Sequence, residues 1–432
     1  MLKDRRLALI FLIVFVDVVV GSATGPVRPT FVKGLSNQEL WLAIGTAVFQ
    51  GVQLVSAPLL GTLSDAYGRR PLVVVSAVGT FVANLFLLPV RAWAFFANRF
   101  SDGLTNGMYG LMRSSVTDLS PKEEQTKNNG YISTIVSLGN VFGPMVAGVV
   151  LAFVRSEEQQ VKGVVWVIIG LSLLNVGLSW FMAEPSANQP KEPGTSEEPP
   201  KSAPDAGSQL AQPERKPFDR AAIGQAVREN LNIGLLWRRL SEKDESHKGV
   251  RFLTILMLLL TLQQGYLTYL ITYLELGPLK LNAQHTSYLF AYFGGISALT
   301  NFLFFKYFVD KINKRRFLVI ASVVGVGLHI AYANVGSSLV LLCIIIAIDS
   351  VTVSLLSGLL NGVFASLTTD EDRGEVVGIN QALTGLASLL TTLIYGGLST
   401  VHLNLPFYWF AASMAALAVL SWRLPKESEA TG

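Results

Sequence analysis

The chain has 432 residues and a mass of 46.9 kDa; half of it is apolar, 15% is charged, and the mean hydropathy is +0.44. Soluble globules carry about 25% charge, so this composition excludes a solvated fold and a disordered chain, and the single Cys343 excludes an intrachain disulfide scaffold. A net charge of +4 and a pI near 9.0 fit a nucleic-acid partner only until the positions of the charges are read.

A bilayer core takes about 20 apolar residues per helix. Six such runs are predicted at 7–27, 41–61, 72–90, 93–117, 128–154 and 163–183. The first holds Asp17 and ends in Pro26 and Pro29 without a small-residue cleavage site, which reads as a span and not a signal peptide. A composition break follows. Residues 184–217 are rich in Pro, Glu, Ser and Lys with no helical period, the signature of a disordered linker. In residues 218–240, Phe218, Ile223, Val227, Leu231, Leu235 and Trp237 interleave with Arg228, Arg238 and Arg239. That pattern predicts an amphipathic helix, lying on the inner membrane surface or packed on the bundle. Six further runs follow at 251–274, 285–306, 317–335, 338–364, 376–398 and 405–423. The expected organisation is an all-α integral membrane protein of twelve transmembrane helices: a six-helix half (1–183), a cytoplasmic linker (184–250) and a second six-helix half (251–432). With the N-terminus inside, 26 Lys and Arg fall on the inner side and 6 on the outer; without the central segment the ratio is 15 to 6. Both termini are therefore expected in the cytoplasm, and the basic balance needs no nucleic acid.

The halves repeat. Gly61-Thr62-Leu63-Ser64-Asp65-Ala66-Tyr67-Gly68-Arg69-Arg70 follows the second run, and Lys306 to Arg315 follows the eighth, with Asp310 and the basic pair at an offset of 245. Asp118 to Glu124 follows the fourth run, and Ser366 to Asp372 follows the tenth, at an offset of 248. Duplicated halves place a substrate site near the midplane between them.

The Gly61–Arg70 loop resembles the loop 2–3 signature of the major facilitator superfamily. Within it, four motifs together are similar to the twelve-span drug:proton antiporters, tetracycline efflux proteins included. Besides that loop they are Asp17 with Pro26-Val27-Arg28-Pro29 in the first helix, Arg99-Phe100-Ser101-Asp102-Gly103 in the fourth, and Gly139-x3-Gly143-Pro144-x2-Ala147-Gly148 in the fifth. The chain departs from the pattern at Arg28, where an apolar residue is usual, at Asp102, where Gln is common, at Gln125, where Arg is usual, and at Thr391-Thr392, where the first half has Gly143-Pro144.

Asp17, Arg99, Asp102 and Asp349 lie deepest in the runs. A charge at the bilayer centre costs roughly 3 kcal/mol, so each needs a cavity or a partner. Arg99 and Asp102 share a helix face and can pair; Asp17 sits at similar depth; Asp349 has no obvious partner. These are the proton-coupling candidates, set against fixed structural ion pairs. Gly61 and Gly68 are expected to allow tight turns, with Arg69 and Arg70 pairing to Asp118; the resemblance implies that Gly61, Asp65, Gly68, Arg69, Arg70 and Asp118 form a conformational latch, against a solvated turn. Gly139, Gly143, Pro144 and Gly148 suit a pliable gating helix or plain tight packing. Tyr266, Tyr269 and Tyr273 fall at i, i+3, i+7 with Gln263 one turn earlier. Gln263, Tyr266 and Tyr269 are substrate-binding candidates, Tyr273 an interfacial anchor, and His329 a hydrogen-bonded buried histidine.

No metal-ligand spacing, phosphate-cradling loop, nucleophile triad or ATPase signature stands out, so no enzyme, cofactor or metal is expected. Energy must come from an ion gradient or from the substrate's own. The resemblance implies proton-coupled antiport that exports small amphipathic compounds by alternating access, from a monomer in the bacterial inner membrane whose partners are substrate, protons and lipid. The alternatives are a proton-coupled symporter importing a sugar or other metabolite, and a receptor or scaffold that no longer transports. Deleting residues 186–214 with enough chain left to join the halves should preserve transport; loss of activity in a well-expressed deletion would show that this segment folds or binds an essential partner.

Overall fold

The computed structural model describes residues 5–154, 156–183, 220–246, 249–307, 312–366 and 373–423. The stretch 184–217 expected to be a linker, and Asp310 of the second loop, lie outside them.

Every predicted run is helical. The first half contains α1 (Arg5–Ala23), a 3-10 turn (Gly25–Val27) leading into the short α2 (Arg28–Phe31), α3 (Gln38–Tyr67), α4 (Arg69–Leu85), α5 (Ala92–Thr105), α6 (Met108–Leu119), α7 (Lys122–Phe153) and α8 (Glu157–Trp180). Two helices of the central segment follow, α9 (Arg220–Leu231) and α10 (Ile233–Ser246). The second half contains α11 (Val250–Leu276), α12 (Ala283–Tyr307), α13 (Lys314–Ala333), α14 (Leu339–Ser366), α15 (Arg373–Val401) and α16 (Leu405–Ser421). Among the described residues, eight helices are each long and apolar enough to cross a bilayer. With α4, α12, α16 and the pair α5–α6 they make twelve spans in the expected order. Apolar side chains on the flanks stand open, Phe302 at 62%, Ile320 at 64% and Val340 at 73% exposure. Such a surface suits hydrocarbon and not water. Buried hydroxyls return their protons to the preceding turn, as Ser115 does to Leu111 O, Ser172 to Ile168 O and Ser322 to Leu318 O. This keeps polar groups satisfied where water is scarce.

One predicted span is broken. The run 93–117 was expected to be continuous, but α5 stops at Thr105 and α6 starts at Met108. The Asn106-Gly107 pair between them is a turn dipeptide. Gln53 of α3 holds the break, its amide donating to the side chain of Asn106 at 3.0 Å and to its carbonyl at 3.3 Å.

The two halves meet along two antiparallel helix pairs, α3 with α15 and α7 with α12. A Cβ on Gly396 would lie 2.5 Å from Ala43, and one on Gly148 would lie 2.9 Å from Tyr288. These two contacts are one contact repeated. The 245-residue offset of the first loop carries Ala43 onto Tyr288, and the 248-residue offset of the second carries Gly148 onto Gly396. Gln50 crosses the seam lower down, donating to Ser388 at 2.9 Å.

The central helices pack on the bundle. Leu236 and Leu240 of α10 are buried with Val250, Leu253 and Leu256 of α11, and α9 lies against both α3 and α15. Asp244 accepts from the Gly249 and Arg251 amides at 3.0 Å and so caps α11. Lys243 pairs with Glu375 of α15 at 3.0 Å.

Candidate transport site

The loop between α3 and α4 places its residues unevenly. Gly68 is the turn: its φ of 101° is open to glycine and strained for other residues, and its amide donates to Ser64 O at 2.9 Å, ending α3. Gly61 is no turn, contrary to expectation. It lies inside α3, and a Cβ there would meet nothing within 4 Å. Arg69 binds Asp65 at 2.7 Å, Asp118 at 3.1 Å and the Ser64 hydroxyl, tying together the ends of α3, α4 and α6. Arg70 was expected to join Asp118; instead it donates to the Trp180 carbonyl at the end of α8, at 2.7 Å. Gly68→Ala should lower the thermal stability of the purified protein by roughly 1–3 kcal/mol through backbone strain. Gly61→Ala should leave stability unchanged or raise it, since Ala is the better helix former by about 1 kcal/mol. Thermal unfolding of both variants in detergent checks this, and an equal loss in both would contradict the assignment of the turn to Gly68.

The fifth-span motif is a helix squeezed between two others. A Cβ on Gly139 would sit 2.7 Å from Val18; one on Gly143 would overlap the Ser22 hydroxyl and lie 2.7 Å from Val19 O. Both glycines therefore face α1, and Ser22 reaches Gly139 O at 3.0 Å. Gly148 faces α12 across the seam. The helix runs through Pro144. The second half solves the same contact with the roles exchanged. There α15 carries the hydroxyl, Thr391, which donates to Leu262 O of α11 at 2.7 Å, and the glycine is Gly265 on α11, whose Cβ would lie 2.9 Å from Thr391. This accounts for Thr391 at the position of Gly143; Thr392, at that of Pro144, donates to Ser388 O of its own helix at 2.8 Å.

The deep charges of the first half come together. Arg99 pairs with Asp102 at 3.8 Å and lies 5.4 Å from the centre of the Phe49 ring. Its Nε takes the Asn98 side-chain oxygen at 2.9 Å. From Asn98 a buried chain runs to Asn84 at 3.3 Å and on to Ser172 at 2.9 Å, linking α5, α4 and α8. Thr80 donates to Asp102 at 3.3 Å. Asp17 is half-buried on α1, within electrostatic reach of Asp102, and the Asn175 amide of α8 donates to it at 3.5 Å. The sequence reading missed Asn84, Asn98, Ser172 and Asn175; the signal was present as amides and a hydroxyl inside otherwise apolar runs.

The second half holds a separate, fully buried cluster. Asp349 of α14 has a partner after all, the Tyr332 hydroxyl of α13, donating at 3.0 Å, with the Tyr266 hydroxyl facing it from α11. His329 is buried and bonded to Gln263 at 2.8 Å. In this conformation Gln263, Tyr266 and Tyr269 are all buried. Tyr269 donates to Leu403 O at 2.6 Å and packs on Phe407 and Phe410. Tyr273 is no interfacial anchor. It is 1% exposed, with its ring 4.7 Å from that of Phe407.

This duplicated twelve-span bundle agrees with the sequence profile of the Major Facilitator Superfamily, which matches residues 10–326 and 253–432. The chain belongs to the Major Facilitator Superfamily. It is therefore a membrane transporter and not an enzyme. Among curated members, it is 23% identical to the quinolone resistance protein NorA of Staphylococcus aureus over 405 residues, 91% of this chain and 90% of that protein. It is 28% identical to the class H tetracycline resistance protein of Pasteurella multocida over 149 residues, 34% of this chain; that match spans only 37% of the relative's length. Superfamily structures with the same fold include the human organic anion transporter MFSD10 (TM-score 0.67, 17% identity, 97% of this chain and 99% of that one). The xylose transporter XylE from E. coli, in a partially occluded inward-open conformation, superposes with a TM-score of 0.66 at 13% identity, over 97% of this chain and 100% of that one.

Proposed function

We propose that this transporter is a proton-coupled antiporter that exports small amphipathic organic compounds by alternating access of its two halves. The observation that carries this reading is the cluster of Asp17 on α1 with Arg99 and Asp102 on α5. It brings together two carboxylates and one guanidinium from α1 and α5, so protonation of one carboxylate changes the charge balance of the helices that must move. Asp349, enclosed by tyrosines in the second half, is a further proton-coupling candidate. Gln263, Tyr266 and Tyr269 would reach substrate in a conformation that opens their packing. The Gly139–Gly148 helix, lying between α1 and α12, supports a gating role, and the resemblance of its motif to the antiporter pattern favours export over the symport alternative. The Asp65, Arg69 and Asp118 cluster would act as the latch, and α9, seated on α3 and α15, would couple the linker to both halves. The localisation that goes with this reading is the bacterial inner membrane, with a monomer whose termini are cytoplasmic.

Flux in proteoliposomes under an imposed pH gradient tests the proposal. Antiport moves substrate toward the acidic compartment against its own gradient as protons run the other way. Accumulation in the direction of proton flow would establish symport, and no proton-linked flux of any compound would refute both.

A further inference from the structure

Arg28 is the residue that departs from the first-span pattern, and the structure gives it an unusual setting. It lies on the face of α1 that carries Asp17, Gly21 and Thr24, continued through the 3-10 turn into α2. Its Nη2 donates to the Thr24 hydroxyl at 2.9 Å and reaches Gly21 O at 3.5 Å, both neutral acceptors. Its Nε is enclosed and has no acceptor among the described residues. The charged and titratable groups within electrostatic reach are Arg99, Asp102 and Tyr395. Arg99 and Asp102 already compensate one another at 3.8 Å, and Tyr395 belongs to α15 of the opposite half. Asp17 stands eleven residues back, about 16 Å along a helix, too far to neutralise Arg28. Among the described residues the guanidinium at the seam between the halves therefore has no ion-pair partner of its own, and its Nε has no acceptor.

A partly exposed guanidinium whose Nε has no acceptor beside a bonded Nη is half of a fork. Its natural complement is a group with two coplanar anionic oxygens, which takes two parallel hydrogen bonds. Resting on the proposal that substrate passes between the halves, we infer that Arg28 is an anion-recognition residue, and that it selects amphipathic substrates carrying a carboxylate or a similar oxyanion. A neutral compound offers Nε at most one acceptor and no compensating charge, and a cation is repelled by Arg28.

The test is isothermal titration calorimetry of the full chain in detergent with two probes that share one ring system, naphthalene-1-acetate and naphthalene-1-acetamide. The parent should bind the carboxylate at least tenfold more tightly than the amide. Arg28→Gln should erase that preference while keeping the affinity for the amide, which also shows that the variant is folded. Arg28→Lys should retain part of the preference, because it keeps the charge and loses the fork. A parent that binds neither probe or prefers neither, a preference that survives in Arg28→Gln, or an equal loss of both probes in that variant would each overturn the inference. Binding is read without transport, so a protein that binds as expected but shows no proton-linked flux would refute the antiporter reading and leave the role of Arg28 standing.

Discussion

Asp17→Asn should abolish uphill, gradient-driven transport in proteoliposomes while leaving substrate counterflow, which needs no net proton movement, largely intact. Asp17 is half-buried on α1, and its one hydrogen bond among the described residues is a 3.5 Å contact from the neutral Asn175 amide. No cation pairs with it among the described residues, which suits a site that must load and release a proton. Asp102 is held differently, by Arg99 at 3.8 Å and Thr80 at 3.3 Å. Asp102→Asn should also lose uphill transport, since it leaves Arg99 uncompensated beside Arg28. Arg99→Ala should be at least as harmful. It strands a largely buried carboxylate, a defect worth up to about 3–5 kcal/mol, and removes the donor to Asn98 at the head of the chain that runs to Ser172. Normal uphill transport by both carboxylate variants would show that neither is the coupling site.

The second large effect is expected at Gly143. An added methyl group would collide with the Ser22 hydroxyl and with two backbone atoms of α1, Val19 O at 2.7 Å and Ala23 N at 2.8 Å. A flexible side chain can move aside, but helix backbone cannot. Gly143→Ala should therefore push α1 and α7 apart, lower stability by roughly 1–3 kcal/mol, and reduce transport more than tenfold. Combining it with Ser22→Ala should rescue only part of the loss, because the backbone contacts remain. Gly170→Ala on α8 is the control, since its Cβ would meet nothing within 4 Å. Thermal unfolding and flux of the three proteins check this, and wild-type behaviour of Gly143→Ala would remove the close α1–α7 contact from the account.

The spans were readable because hydrocarbon demands long apolar runs whatever the tertiary packing. The duplication was readable because two loops keep their acids and bases at nearly one offset. Pairings between helices were readable only where residues share a turn, as Arg99 and Asp102 do. The Tyr332–Asp349 bond joins two helices across 17 residues, and no local period announces it. Helical spacing also put Tyr266, Tyr269 and Tyr273 on one face without saying what that face meets, which is the packed core of Phe407 and Phe410. The error at Gly61 has a similar origin. A glycine near a loop signature reads as a turn, but only Gly68 has the positive φ that a turn requires here.

Alternating access is the central claim, and paired distances across the two ends of the seam test it most directly. The single Cys343 can be replaced by serine to give a thiol-free background. Spin labels at positions 41 and 401 then report one end of the α3–α15 pair, and labels at 67 and 381 report the other. The account predicts two distance populations at each end that shift in opposite directions when pH is lowered or substrate is added, with Asp65→Asn changing their ratio. Distributions that stay single at both ends under every condition, or that widen and narrow together, would contradict it.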